Sequence, residues 1–212
     1  MLRVTEIFHS IQGESSRVGL PCVFIRLTGC NLRCSYCDTA YAWTGGSDWT
    51  LERIVENAAS FGCPLVEITG GEPLAQDETP GLARRLLDAG HTVLVETNGT
   101  YDISRLPAAA VKIMDVKCPG SGENAKNDLR NLDRLGPEDE VKFVISNTAD
   151  YLWAKEVIRG NGLELRARVL LSPAHGRMDR ALLAEWILGD RMNVRLQVPL
   201  HKIIWPEADR GR

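Results

Sequence analysis

Short hydrophobic runs alternate with helix-patterned segments along most of this chain, and that alternation limits the folds open to it. The runs at 22–27 (CVFIRL), 65–69 (LVEIT), 92–97 (TVLVET), 111–116 (VKIMDV), 140–145 (EVKFVI), 165–171 (LRARVLL) and 195–198 (RLQV) predict strands. Between them, Thr50 is placed to cap a helix whose apolar residues Leu51, Ile54, Val55 and Ala58 recur at helical spacing. Further helices are expected over 80–90, 149–159 and 179–188. Such β/α alternation implies a parallel sheet with helical crossovers, an α/β fold. A closed eight-fold barrel usually takes about 250 residues. The 212 residues here therefore predict an incomplete (partial) TIM-type β/α barrel of about six parallel strands. No repeat, low-complexity tract or linker divides the chain, so a single domain over 1–212 is expected.

Active sites of such sheets lie beyond the carboxyl ends of the strands. The polar stretches that follow the expected strands are CNLRCSYCDT, TGGEP, ETNGT, DVKCPGSG, LSPAHG and QVPLHK, and all would open onto one rim. A net charge of −3 provides no broad cationic field, which argues against a direct nucleic-acid partner. No apolar run approaches the roughly 20 residues needed to cross a bilayer, so no membrane partner is expected. The opening MLRVTEIFHSIQGE turns polar too early for a secretory signal, and a cytoplasmic location is predicted. Thiols stay reduced there, so the six cysteines read as metal ligands, reactive thiols or small core residues.

Three of them, Cys30, Cys34 and Cys37, form C-x3-C-x2-C directly after the first expected strand. Thiolates bind zinc or iron–sulfur clusters, and a closed zinc site would need a further ligand pair. Cys22, Cys63 and Cys118 are scattered singly and supply none. A four-iron (4Fe-4S) cluster on three thiolates leaves one iron open to a small molecule. Further on, Gly70-Gly71-Glu72-Pro73 follows the second expected strand, where glycines let backbone approach a ligand closely.

With these two motifs the chain resembles the radical S-adenosylmethionine (SAM) superfamily. The resemblance implies that SAM chelates the open iron and that the reduced cluster splits it to a 5′-deoxyadenosyl radical. It also implies contacts to SAM from Gly71, Glu96, Asn98, Asp115, Lys117, Ser172 and His175. Tyr36 stands where superfamily members carry an aromatic near adenine, with a packing role as the other reading.

A closer resemblance, spanning nearly the whole chain, is to the 7-carboxy-7-deazaguanine synthase family of queuosine (7-deazapurine) biosynthesis, a tRNA modification pathway. It is carried by EIFHSIQGE (6–14), CVFIRLTGCNLRCSYCDTAYAW (22–43), TGGEP, ETNG, Lys117 and the late pair His201-Lys202. It implies a carbon–nitrogen lyase acting on 6-carboxy-5,6,7,8-tetrahydropterin, whose ring contracts with loss of ammonia. Arg26 suits the substrate carboxylate, because a guanidinium forms two parallel bonds to it; an ion pair within the protein is the plain alternative. Gln12, Gly13, Glu14, Thr69 and His201 are further substrate contacts by resemblance. Thr39 is implied as the protein ligand of a magnesium ion, against a loop-capping role for Asp38-Thr39. Neither His175 nor His201 is assigned as a general base, and no catalytic residue is named. The family usually has glycine where Ser15 stands, so that turn is expected to differ.

A homodimer and an external electron donor of flavodoxin or ferredoxin type follow from the resemblance alone. Two rival functions stand beside it: a glycyl-radical enzyme activating enzyme and a non-catalytic iron–sulfur electron carrier.

Overall fold

The computed structural model describes residues 1–208, 210 and 211. Among the described residues nine strands form one sheet. Strand β1 (Leu2–Ile11) pairs antiparallel with β2 (Pro21–Leu27) on one side and with the short β3 (Ser47–Trp49) on the other. From β2 onward every pairing is parallel, through β4 (Leu65–Gly70), β5 (Thr92–Thr97), β6 (Val111–Val116), β7 (Glu140–Ile145), β8 (Arg168–Pro173) and the two-residue β9 (Arg195–Leu196). The order β3-β1-β2-β4-β5-β6-β7-β8-β9 ends without closing on itself. The fold is a partial β/α barrel, as expected.

The helices are α1 (Leu51–Ser60), α2 (Thr79–Asp88), α3 (Thr148–Gly160), α4 (Arg180–Gly189) and a final turn, α5 (His201–Ile204). Side chains start three of them. Thr50 accepts from the Arg53 amide at 3.2 Å, Asn147 from Asp150 at 3.0 Å and Asp179 from Leu182 at 2.8 Å. The helices pack Ile54, Ala58, Leu82, Leu86, Ala154 and Leu183 against one face of the sheet, where Ile25, Ile68, Val95, Val116, Phe143 and Leu171 are buried. Alternation then sends the intervening strand residues to the opposite, concave face. Charged residues stand there.

β8 begins at Arg168, later than expected, because 163–165 form a 3-10 turn that leaves Leu165 in solvent. The antiparallel strands β1 and β3 at this end of the sheet were not foreseen. In β1, Leu2 and Val4 are buried on the core face, and strict alternation would send Glu6 the same way. A register shift between Val4 and Glu6 instead sets Glu6 opposite Arg26 of β2, on the concave side.

Because β1 is antiparallel, it ends below the barrel, and the loop after it crosses the lower mouth. Gln12 bonds to Glu67 of β4, Glu14 to Lys142 of β7, and Ser16 to Glu140 of β7. Ser15 adopts φ +66°, a left-handed conformation uncommon for a residue other than glycine.

Candidate active site

The strand ends, the loop after β1 and the returning C-terminal segment surround one cavity of about 260 Å³. Every residue expected to contact cluster, SAM, magnesium or substrate lies on its wall except Gly13. Gly13 stands behind the wall: a Cβ there would sit 2.1 Å from His201 Nδ1, and its carbonyl accepts from the Leu200 amide at 2.9 Å. Its lack of a side chain leaves the room in which His201 sits.

The rim is built around the cysteine loop. Cys30, Cys34 and Cys37 carry free thiols, and all three face the cavity. The 118–123 segment braces the loop from outside. Ser35 bonds to the Gly120 and Ser121 carbonyls, and Glu123 accepts from the Arg33 amide at 2.8 Å. Gly71 meets the loop so closely that a Cβ would lie 2.1 Å from the Gly29 carbonyl oxygen. Glu72 is fully buried and joins two turns, accepting from Leu74 N, Thr97 Oγ1 and Asn98 N at 2.9, 2.7 and 2.6 Å. Asn98 is thereby held beside Asn31 at 3.0 Å. Tyr36 packs near the Arg177 guanidinium, and its buried hydroxyl has no partner among the described residues. Cys22, Cys63 and Cys118 are buried core thiols, as expected.

Below the rim lies a layer of charge. Lys142 Nζ sits 2.7 Å from Glu14 Oε2 and 3.5 Å from Asp115 Oδ2, and also bonds to Glu96. Burial pulls this ammonium's pKa down, yet Glu14, Glu96 and Asp115 outweigh burial and leave it well above the ordinary lysine value. Asp115 also pairs with Lys117 at 2.8 Å, and its other oxygen is buried without a partner among the described residues. Burial would raise the Asp115 carboxyl, but Lys117 and Lys142 hold it below its usual range. Thr69 lies 3.3 Å from Glu96. Ser172 and His175 close the β8 side.

Arg26 donates through Nε to Glu6 at 2.8 Å, and the same Glu6 oxygen accepts from the Tyr41 hydroxyl at 2.8 Å. The ion-pair alternative for Arg26 is thus present, but it engages only the inner nitrogen of a side chain that lines the cavity. At the mouth, Thr39 donates to Asp38 at 2.9 Å and makes no side-chain cap on the turn it precedes. Lys202 approaches Asp38 at 3.6 Å. Burial opposes ionisation of Asp38, while Lys202 and Thr39 more than offset it and lower its pKa. His201 is shifted down, chiefly by burial. The C-terminal segment returns to the site, where Ala208 and Arg210 line the cavity and the Arg210 guanidinium stands 4.4 Å from the Tyr41 ring.

Glu67 and Lys142 were missed from sequence. The available signal was the one that marked Arg26, a charged residue inside an otherwise apolar strand. Glu6, Tyr41 and Arg210 carried no such signal.

A profile described as the radical SAM superfamily matches residues 24–118. A 7-carboxy-7-deazaguanine synthase of Koribacter versatilis is 45% identical over 99% of this chain and 100% of its own. One of Chlorobaculum tepidum is 44% identical over 99% and 97%. The chain belongs to the 7-carboxy-7-deazaguanine synthase family. The crystal structure of QueE from Escherichia coli shares the fold at TM-score 0.77, with 24% identity over 94% of each chain.

The cofactors of this radical SAM family are a 4Fe-4S cluster and SAM, and the residues present fit both. Three unpaired thiols line one wall, and no fourth cysteine of the described residues joins them on the cavity. Among the described residues, no three His, Cys, Asp or Glu side chains converge to hold a single metal ion. Burial pushes Cys34 up to about 11 as a free thiol, so loading iron must displace its proton. Beside the thiols, the unpartnered Tyr36 hydroxyl and Asp115 oxygen, together with Asn98, present polar groups to an amino-acid-bearing ligand. Among the described residues no helix is long and apolar enough to cross a membrane.

Proposed function

We propose that the chain, as a single domain, converts 6-carboxy-5,6,7,8-tetrahydropterin to 7-carboxy-7-deazaguanine with loss of ammonia. One observation carries this reading: a guanidinium, Arg26, faces the same cavity as the three cysteines, with its outer nitrogens left over by Glu6. That arrangement suits a small anionic substrate held within reach of SAM. A cavity crossed from below by the loop after β1 favours a small molecule over a protein glycine. The polar walls favour an enzyme over an electron carrier.

When bound, the cluster supplies the electron that splits SAM to a 5′-deoxyadenosyl radical. The protein's own part is to bind, orient and exclude water. Cys30, Cys34 and Cys37 hold the cluster, and Tyr36, Gly71, Glu96, Asn98, Asp115, Lys117, Ser172 and His175 surround SAM. Arg26 clamps the substrate carboxylate through a two-point bond. Gln12, Glu14, Thr69 and His201 contact the ring, with Gly13 seating His201. Thr39 offers one oxygen to a magnesium ion, which prefers hard oxygens and keeps several waters. The Lys142 ammonium fixes Glu14 and Glu96 in one orientation, which preorganises the site before substrate arrives.

An electron donor of flavodoxin or ferredoxin type and a homodimeric assembly complete the proposal, both from family likeness, and a cytoplasmic setting is proposed with them. The test is anaerobic incubation of the reconstituted protein with SAM, dithionite and the carboxytetrahydropterin. Mass analysis should detect the deazapurine and ammonia. Cleavage of SAM without any deazapurine would contradict the substrate assignment.

A further inference from the structure

Glu67 is a buried carboxylate on the cavity wall that none of the roles above uses. It stands on β4 two residues before Thr69, which places it about 6.6 Å deeper along a parallel strand. The register repeats this layering on β2: Arg26 is level with Thr69, and Phe24 with Glu67. The floor beneath is the loop after β1, whose Gln12 donates through Nε2 to Glu67 Oε2. The other oxygen, Oε1, has no partner among the described residues. A residue 4% exposed thus keeps a free acceptor toward the cavity.

The charges around Glu67 make an unused carboxylate costly. Burial first, then Glu96 of β5 and Glu14 of the floor loop, raise its pKa, while Gln12 and Lys142 of β7 act the other way. The empty site therefore holds Glu67 as the neutral acid at neutral pH, and a ligand bringing two N–H donors favours release of that proton to solvent and the ionised form that accepts both.

The substrate reading of the preceding subsection, on which this inference rests, supplies such a ligand. Its carboxylate sits on C6, at the end that must face Arg26 and the rim. The opposite end of the fused rings carries N3–H and the 2-amino group, two coplanar donors side by side. They match a carboxylate as the fork of an arginine does. The two-residue step between the Arg26 and Glu67 levels is comparable with the width of a two-ring heterocycle. We propose that Glu67 is a specificity-determining residue that accepts the paired N3–H and 2-amino donors of the pterin and so selects a cyclic guanidine edge. Gln12, pinned between Glu67 and the Glu14 amide at 3.1 Å, holds that carboxylate in place.

A merely structural Glu67 would orient Gln12 without reading the ring, and substrate discrimination separates the two roles. The reconstituted protein is given 6-carboxytetrahydropterin or its 2-oxo counterpart, which puts a carbonyl opposite Glu67. The wild type should prefer the pterin by at least about 100-fold in kcat/KM, because a site built to accept these donors rejects an analogue that lacks one. Glu67→Gln presents one donor and one acceptor, the complement of the 2-oxo edge. It should narrow the preference by at least about tenfold through loss of the charged bonds. Glu67→Asp keeps the carboxylate but withdraws it by one methylene, so KM for the pterin should rise about tenfold with the preference retained. Cluster absorption reports that each variant is loaded.

A wild type that makes no deazapurine overturns the substrate reading and this assignment with it. A wild type that makes it without discriminating, or a loaded Glu67→Gln that keeps the full preference, overturns the assignment alone. Should Glu67→Gln fail to load, an unchanged pterin KM in Glu67→Asp overturns it equally.

Discussion

The rim and the floor of the cavity are built in opposite ways. The rim consists of contiguous motifs on loops after parallel strands, each braced by backbone: Gly71 against Gly29, Glu72 across to Asn98, and 118–123 behind the cysteines. The floor consists of single charged residues on separate strands, brought together by the antiparallel β1 and the loop after it. Backbone close approach can hold a cofactor of fixed shape on the rim. Buried charge on the floor is costly unless paired, and its pairing gives the lower cavity its chemistry. On the proposed reading the rim serves the cluster, while the charged layer below it serves both SAM, through Glu96, Asp115 and Lys117, and the substrate, through Glu14.

The largest expected effect separates the two regions outright. Cys34→Ala removes a rim thiolate and should abolish the cluster's visible absorption and all SAM cleavage. The fold should survive, because Cys34 is partly exposed and outside the core. A variant that keeps full cluster content would remove Cys34 from the ligand set.

Next comes Lys142→Ala on the floor. It leaves Glu14, Glu96 and Asp115 facing one another without their common cation. Breaking a buried ion pair by removing one partner typically costs about 3–5 kcal/mol, measurable by chemical denaturation. A change below about 1 kcal/mol would mean that solvent already screens this cluster.

A smaller effect is a pH dependence confined to the floor. The Glu67 carboxyl has its folded pKa raised to about 8, by burial first and then by Glu96. Between its ordinary value and about 8 the native state binds more protons than the unfolded chain, so stability should fall as pH rises through that window. The curve for Glu67→Gln should lack this slope. Parallel wild-type and variant curves from pH 5 to 8.5 would contradict the buried, proton-holding environment.

Much of the rim was readable in the sequence because its signals are local. The strands at 92–97, 111–116 and 140–145 match β5, β6 and β7 residue for residue, and the Cys30–Cys37 loop and the Gly70–Pro73 turn fall where strand ends place them. The floor was not readable, because its geometry depends on contacts distant in sequence. Glu6 reaches Arg26 only through the irregular register in β1, which no alternation rule foresees. Gly13 makes room for His201, nearly two hundred residues away, which no local pattern announces. Glu67 and Lys142 were visible as charges within strands, but their convergence required the barrel. Arg210 returns to Tyr41 through a tail with no periodic pattern.

The smallest effect concerns the floor loop itself. Ser15 holds φ +66°, which a residue with a Cβ adopts at a cost of roughly 1–2 kcal/mol. Ser15→Gly removes that strain but loses the Ser15 Oγ bond from the Arg17 amide at 3.1 Å and adds freedom to the unfolded chain. The net gain should be below about 1 kcal/mol, read as a small rise in the denaturation midpoint. A clear loss of stability would show that the hydroxyl matters more than the backbone conformation.

The division of labour between rim and floor is tested most directly by quantifying two products side by side, 5′-deoxyadenosine and 7-carboxy-7-deazaguanine, from wild type and Arg26→Ala under reducing, anaerobic conditions. The wild type should yield both. Arg26→Ala should still yield 5′-deoxyadenosine, since the cysteine rim is intact, while the deazapurine falls by at least about tenfold through the lost charged bonds. Deazapurine formed at the wild-type rate by Arg26→Ala, or both products lost together, would contradict the assignment of Arg26 to the substrate and of the cysteine rim to SAM cleavage.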